Sequence, residues 1–436
     1  MNHEEIKRIE KGVKAAFDDY ELFFLKEKIK KYESREKEIA SAEIKEETGV
    51  AMRAVKGGRM VFSYTFDEGK EAIASLTSNT ATILPFLEED RDRVFPEMTV
   101  PCQESEIYDS KGLSTDDREK VALLMDMERT ILEHDARIKT TRNCELQETE
   151  IETVILNSRG VRAEAKKTLY TLMAMCVAKD ADEASWFDWS WAHSLRALDG
   201  ASLGRTIAGR AVSLLSSKQI NTGIYEGILT PGASCDLLDI LASSFLAENL
   251  YKKKTRLADK EGKRCFSPLV SITDSGLTGM GTFPFDGEGT TSRVNPVVTE
   301  GILNGFLYDT YYGRKFGKPS TGNSVRSGLK DPPASAPRGF HIMKGKHDLN
   351  DRPLEGVIIA ELMGTHTANP ITGDFSLGAT GYLKKNGSTT PFTGVILSGN
   401  LFELLTNVKG VGTDLTFYGA HGSPSLYVEN LKISGI

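Results

Sequence analysis

The chain has 436 residues, 39% of them hydrophobic and 26% charged, the composition of a soluble globular protein of about two or three domains. Its net charge of −7, from 54 basic and 61 acidic residues, excludes a general binder of nucleic acid or of anionic membranes. No run of about 20 apolar residues could span a bilayer, and the charged start has no signal-peptide core, so we expect a cytoplasmic protein.

The first third of the sequence is typical of helices flanking an antiparallel meander. Lys56-Gly57-Gly58 predicts a hairpin turn, and Pro85 predicts the end of a helix. Thr115 is predicted to cap the next helix. Helices around such a meander indicate an α+β domain. The predicted elements are a helix over 3–16, strands over 20–34, 39–45, 50–55 and 59–66, a helix over 68–86, a linker over 87–112 and a helix over 115–134.

Two long strands are predicted next, over 138–156 and 161–178, joined by a turn at 157–160. Strands of this length far exceed the usual ~5–6 residues, so we expect a projecting ribbon that makes subunit contacts in an oligomer. The aromatic cluster that follows has two interpretations, a substrate or partner surface and core or inter-domain packing. Packing is favoured, because aromatic side chains dominate buried area. The cluster comprises Trp186, Phe187, Trp189 and Trp191.

A change in composition near 218–222 divides the chain into an N-terminal domain, 1–218, and a C-terminal domain, 219–436. A helix over 200–216 precedes the boundary. Thr230 as cap and Pro231 in the first turn predict the start of a helix over 231–247. The remaining predicted strands cover 219–229, 269–273, 357–362, 382–384 and 395–397.

The stretch 361–405 contains seven glycines within strand-like sequence, and turns are predicted at Asn369-Pro370 and Asn386-Gly387. A glycine inside a strand marks a bulge or the close approach of another backbone. We predict an α+β fold: an N-terminal helix-plus-antiparallel-sheet domain with a long β-ribbon, then a Gly-rich, mostly antiparallel β domain. The 5 scattered cysteines predict reduced thiols rather than a disulfide framework.

The same stretch, which contains Asn369, Pro370 and the run 372–376 in order, resembles the TldD/PmbA family. Two upstream segments agree with it, the sequence FDGEGT at 285–290 and STGN at 320–323. The resemblance covers roughly residues 220–436. It implies a peptidase-related protein whose substrate enters as an extended chain, in a channel between subunits, where strand addition supplies main-chain hydrogen bonds.

The helix at 231–247 is where catalytic members of this family carry His-Glu-x-x-x-His, which binds zinc and activates water. Aligned on the apolar pair 237–238, this chain has Asp239, Ile240 and Ser244 at those three positions. No histidine lies between His193 and His341, and the tail at 418–426 lacks the metal-binding cysteine of catalytic members. The resemblance therefore implies no catalytic residue and no metal in this chain, with zinc only in a partner.

The resemblance is to the PmbA branch, also called TldE. It implies a heterodimer with a TldD-like protease subunit that hydrolyses extended or unfolded peptides, and homodimers when the chain is alone. Such complexes process peptide antibiotics such as microcins, and the old name, modulator of DNA gyrase, reflects an indirect effect. Two alternatives remain: a self-associating scaffold or peptide-binding protein without a protease partner, and an independent hydrolase.

Six residues of the family segments are candidates for substrate binding, namely His366, Asn369, Thr372, Asp374, Ser376 and Asn323. His366, and likewise His421 and Asp414, could contact substrate or be hydrogen-bonded turn residues. Asp286 and Glu288 could be an acid–base pair or could shape a turn. Gly200–Gly204 matches the G-x-S-x-G elbow around Ser202, but a helix start explains it better, because no suitable strand precedes it.

Overall fold

The computed structural model describes residues 3–67, 69–97, 106–349 and 352–436. Short 3₁₀ turns at Leu84–Phe86, Leu195–Ala197, Ser243–Phe245 and Thr365–Thr367 supplement the helices. The helices are α1 (His3–Ala16), α2 (Lys70–Ile83), α3 (Ser110–Ser114), α4 (Asp117–His134), α5 (Gly200–Ser213), α6 (Pro231–Ala242), α7 (Ala247–Tyr251), α8 (Thr310–Phe316) and α9 (Leu401–Thr406).

Strands predominate over helices, and they fall into two groups along the chain. The strands before residue 218 are β1 (Asp19–Arg35), β2 (Glu38–Lys56), β3 (Arg59–Thr65), β4 (Ile138–Asn157), β5 (Arg162–Lys179) and β6 (Glu183–Ala192). The later strands are β7 (Gly223–Leu229), β8 (Ile272–Ser275), β9 (Val294–Thr299), β10 (Ile302–Leu303), β11 (Ser324–Val325), β12 (Ala334–Ser335), β13 (Phe340–Ile342), β14 (Gly356–Met363), β15 (Asp374–Lys385), β16 (Ser388–Asn400), β17 (Val408–Val411), β18 (Thr416–Tyr418), β19 (His421–Ser423) and β20 (Leu426–Ser434).

The N-terminal half forms one antiparallel sheet in the order β3-β2-β1-β4-β5-β6. The two long strands β4 and β5 form the long antiparallel ribbon that the sequence predicts, and the sheet continues on both sides of it through β1 and β6. The predicted strands at 39–45 and 50–55 are one strand, β2, because it pairs with β1 along its whole length and carries Gly49 through. Helices α4 and α5 contribute Leu124, Ile131 and Ile207 to the apolar core on this sheet.

The C-terminal half contains a barrel-like sheet. Its order is β16-β15-β14-β7-β20-β17, and a further pairing of β16 with β20 closes the ring. A second six-stranded sheet has the order β10-β9-β8-β13-β19-β18. Most pairs are antiparallel, as predicted, with β7–β14 and β13–β19 parallel. The buried face of α6, including Leu237, Leu238 and Leu241, packs into the core that the two sheets share.

Several local predictions are corrected by tertiary contacts. Asp116, and not Thr115, caps α4, by accepting a hydrogen bond from the Arg118 N–H at 2.8 Å. Thr230 makes no side-chain capping bond to α6; its hydroxyl donates to the Ala360 carbonyl at 3.1 Å. The strand expected over 269–273 lies at Ile272–Ser275.

The predicted linker at 87–112 is described only in part, since residues 98–105 lie outside the described ranges, and its end begins α3. In the part of the chain that the structure describes, no helix has the length and apolar character needed to cross a membrane. Cys144, Cys176, Cys235 and Cys265 are free thiols, while Cys102 lies outside the described residues.

Candidate functional site

The side chains at the three positions aligned with the zinc motif lie in different environments. Asp239 is exposed, and its carboxylate lies 3.3 Å from His421 Nδ1. Ile240 is half-buried against the apolar core. Ser244 is 0% exposed and donates a hydrogen bond to the Pro370 carbonyl at 3.1 Å. These side chains do not converge on a common point.

The structure tests whether zinc fits these residues. Tetrahedral zinc needs about four nitrogen, sulfur or carboxylate donors around one point. Within residues 3–67, 69–97, 106–349 and 352–436, no group of three or more His, Cys, Asp or Glu side chains is arranged to hold a metal ion. Because Ile240 offers no donor and the Ser244 hydroxyl is used by Pro370, the residues do not fit a zinc centre.

The segment 369–374 forms the turn that Ser244 holds. The Asn369 side chain accepts hydrogen bonds from the N–H groups of Ile371 and Thr372, at 2.9 and 3.1 Å. Asn400 closes the turn from β16, donating to the Thr372 carbonyl and to Asp374 Oδ1. The hydrogen bond from Asn400 holds the pKa of Asp374 below its usual value. The exposed side of this turn offers polar groups at one end of α6.

The other candidate residues are dispersed. His366 lies with an exposed ring in the 3₁₀ turn Thr365–Thr367, and Ser376 is exposed on β15 opposite Ser398. Asn323 is 0% exposed, so it offers no surface for substrate. Its amide donates to Asp274 Oδ2 at 2.6 Å and to the Ala336 carbonyl at 3.1 Å. The structure thus brings Asn369, Thr372 and Asp374 together and separates Asn323 from them.

A cluster of carboxylates lies beside α6, which we call the acidic cluster: Asp236, Asp239 and Glu361. Burial, with the nearby charges of Asp239 and Glu361, raises the pKa of Asp236 to about 7. Burial also raises the pKa of Glu361, and it lowers that of His421. Sequence analysis missed Asp236 and Glu361. The available signal was two carboxylates three residues apart on one helix, at 236 and 239.

The raised pKa of Asp236 predicts a pH-dependent stability. Ionisation is harder in the folded protein than in the unfolded chain, so the native state loses stability as pH rises from about 4 to about 7. Asp236→Asn removes this loss. We therefore expect the free energy of unfolding of the variant, relative to that of the wild type, to be about 1–3 kcal/mol larger at pH 8 than at pH 5. Urea unfolding at both pH values measures the difference. Asp259→Asn, at an exposed position, is the control, and an equal effect of Asp236→Asn at both pH values would refute the assignment.

The edge strand β6 is linked to the acidic cluster through Tyr418, which interacts electrostatically with Asp188 of β6 and with Asp236. It pairs only with β5 among the described strands, so its outer edge retains unpaired backbone groups. Trp189 stacks edge-on against Tyr418 with ring centroids 5.9 Å apart, and Trp191 Nε1 donates to the Phe417 carbonyl at 3.0 Å. These tryptophans therefore join the two halves of the chain, as the inter-domain interpretation predicts. The sequence did not predict β6 itself.

Three further candidate residues receive structural explanations. Asp286 is buried and accepts hydrogen bonds from the N–H groups of Glu288, Thr290 and Ser324, so it shapes a turn. Ser202 lies in the first turn of α5, where its N–H donates to Asp199, which confirms the helix-start interpretation. Asp414 accepts hydrogen bonds from the backbone and hydroxyl of Ser425, at 2.9 and 2.6 Å.

Family models match nearly the whole chain. Residues 20–83 match domain 1 of the PmbA/TldA metallopeptidases, residues 110–215 match their central domain, and residues 222–435 match their C-terminal domain. The matches to residues 20–83 and 110–215 extend the resemblance into the N-terminal half, where the sequence motifs gave none.

Individual proteins agree with the family models. A metalloprotease PmbA homolog of Haemophilus influenzae is 23% identical over 414 residues, covering 92% of this chain and 89% of its own. A Thermotoga maritima crystal structure, described as a candidate modulator of a DNA gyrase, is 25% identical with a TM-score of 0.89 and 99% coverage of both chains. TldE from Thermococcus kodakarensis shares the fold, with a TM-score of 0.91 at 21% identity, covering 99% of this chain and 100% of its own.

Proposed function

Because the chain belongs to the TldD/PmbA family of metallopeptidases, we propose that it is a TldE-type subunit without zinc, which shapes the peptide channel of a heterodimeric protease. A TldD-like partner would carry the zinc and hydrolyse the peptide. The observation that carries this proposal is the use of the motif positions: Asp239 pairs with His421, and Ser244 binds the Pro370 carbonyl. Because these two side chains are used in contacts within the protein, this segment is suited to supporting the wall of a channel.

The proposed substrate is an extended or unfolded peptide, in peptide maturation or degradation. The free edge of β6 supports this, because an added strand gains main-chain hydrogen bonds with little dependence on its side chains. The exposed face of the 369–374 turn, with His366 and Ser376 nearby in sequence, would contact the same peptide. We propose a cytoplasmic location, and a homodimer through the partner-binding surface when the partner is absent.

A reconstitution experiment tests this function. The purified chain should contain far less than one zinc per chain and should not hydrolyse an unfolded peptide substrate. Addition of a TldD-like subunit should give a complex with one zinc per heterodimer and peptidase activity above that of either chain alone. The measurements are metal analysis by mass spectrometry and peptide cleavage followed by chromatography.

The control is the same complex with both motif histidines of the TldD-like subunit replaced by alanine, which should abolish cleavage. Stoichiometric zinc in this chain, or hydrolysis by this chain alone, would contradict the proposal. Failure to bind any TldD-like subunit, together with stable self-association, would favour the scaffold alternative.

A further inference from the structure

A cavity separate from the acidic cluster lies between the N-terminal sheet and loops of the C-terminal half. Its volume is about 440 Å³, within the range of small-molecule sites. Apolar side chains come from both halves, so a bound molecule would bury an aliphatic or aromatic body. They are Phe23, Leu25, Ile151, Ile155, Phe283 and Phe285.

The polar lining of this cavity contains both carboxylates and cations, and one of the cations is a buried lysine. Lys167, on β5 opposite Ile151, is 9% exposed, and its ammonium donates a hydrogen bond to the Met280 carbonyl. It forms no salt bridge with a carboxylate of the described residues, and two of its three N–H donors have no hydrogen-bond partner there. Burial and the neighbouring charge of Arg338 lower the pKa of Lys167 to about 8. An anion beside Lys167 would therefore offset its burial.

Other lining residues contain polar atoms that lack partners. Thr153 Oγ1, Ser324 Oγ and Arg326 Nη1 are buried and have no hydrogen-bond partner within the described ranges. Thr153 is 7% exposed and lies on the same face of the sheet as Lys167. An unsatisfied buried polar group destabilises the fold, so a ligand that reaches these atoms would stabilise it by hydrogen-bonding to them.

The carboxylates that line the cavity form no salt bridge with Lys167 among the described residues. Asp286 is bound to three backbone N–H groups, as described above. Glu27 faces Glu47 across the strands β1 and β2, with Lys45 beside them. Burial and Glu47 raise the pKa of Glu27, which disfavours a second negative charge there.

We propose that this cavity binds a carboxylate that carries an apolar group. The carboxylate would lie at Lys167, and the aliphatic or aromatic group would pack against Phe283 and the sheet. The ligand is either a small organic acid or the C-terminal residue of a peptide, since both present this chemistry. The site does not depend on the zinc subunit or on the protease function proposed above.

Calorimetric titration of the full chain at pH 7 tests the site with two pairs of probes. The first pair is 3-phenylpropanoate and its uncharged amide. The second is the tripeptide alanyl-alanyl-phenylalanine with a free or an amidated C-terminus. A charge-assisted hydrogen bond predicts that a carboxylate binds about 10- to 100-fold more tightly than its amide. Tighter binding of the small acid or of the peptide shows which of the two ligand classes the cavity binds.

Lys167→Met should reduce carboxylate binding by the same factor, about 10- to 100-fold. Lys166→Met is the matched control: its side chain is 44% exposed and pairs with Glu152, so binding should be unchanged. If Lys167→Met does not fold, acylation of Lys167 in the wild-type chain, located by mass spectrometry, should be slowed by the bound carboxylate. No binding of either acid, equal binding of the amides, or no protection of Lys167 would overturn the proposal.

Discussion

Replacing Arg53 by methionine should lower the free energy of unfolding by about 3–5 kcal/mol, because it leaves buried carboxylates without their cation. Arg53 Nε and Nη2 donate to the two oxygens of Glu21, at 2.9 and 2.5 Å, and Nη2 also reaches Glu288 at 3.0 Å. Glu21 and Glu288 are 1% and 3% exposed. This ion network couples the N-terminal sheet to the C-terminal half.

The charges in the network depend on each other. Burial alone would raise the pKa of Glu21, but Arg53 and Arg326 hold it below its usual value. In the Arg53→Met variant, Arg326 still pairs with Glu21. Among the described residues, Glu288 keeps a hydrogen bond from the Thr310 N–H, at 3.1 Å, and the attraction of the Arg326 charge, but no salt bridge. Most of the expected loss therefore comes from Glu288, which loses its ion-pair partner.

Urea unfolding followed by circular dichroism measures the loss at Arg53. Arg162→Met is the control, because its ion pair with Glu10 has side chains 50% and 27% exposed and should contribute less than about 1 kcal/mol. Adding Glu288→Gln to Arg53→Met should recover part of the stability by removing the isolated charge. Equal losses at Arg53 and Arg162 would show that burial of the network does not matter.

Gly381→Ala should destabilise the C-terminal barrel by about 3–5 kcal/mol, because the added methyl group has no room in the native structure. A Cβ at this position on β15 would lie 1.9 Å from the Ile358 carbonyl oxygen of β14. The β14–β15 register shifts between Ile359 and Glu361, so the chain bulges at this point. Backbone pairing on both sides of β15 prevents the strand from moving away.

Gly378→Ala on the same strand is the matched control. Its Cβ would lie 3.4 Å from the Met363 side chain and 3.8 Å from the Met363 carbonyl oxygen, which are ordinary contact distances, so we expect a change below about 1 kcal/mol. Thermal unfolding of both variants compares the two sites directly. A similar melting temperature for Gly381→Ala and Gly378→Ala would refute the steric explanation.

The elements that sequence patterns predicted well are those with strong local signals. The helix α1 spans 3–16 as expected, and Asn386-Gly387 forms a turn with φ angles of 51° and 74°. Gly381 confirms that a strand glycine marks both a bulge and a close backbone. In each case a few neighbouring residues fix the conformation, so the sequence contains the necessary information.

Predictions failed where a partner distant in sequence supplied the stabilisation. Tryptophan-rich β6 did not read as a strand, because its hydrogen bonds come from β5 and its aromatic contacts from Phe417 and Tyr418. Thr230 has an ideal capping sequence, yet its hydroxyl bonds to Ala360, which is 130 residues away. Local propensity cannot anticipate such partners.

The sequence by itself determined the α+β class, the Gly-rich strands and the absence of imidazoles on α6, since these follow from residue type and short-range spacing. Only the tertiary structure decided that Ser244 binds Pro370 and that Arg53 joins Glu21 to Glu288. It also placed Lys167 of the N-terminal sheet in a cavity with Phe283 of the other half. The physical reason is that burial and charge pairing depend on which distant segments pack together, and chain folding alone brings them within a few ångströms.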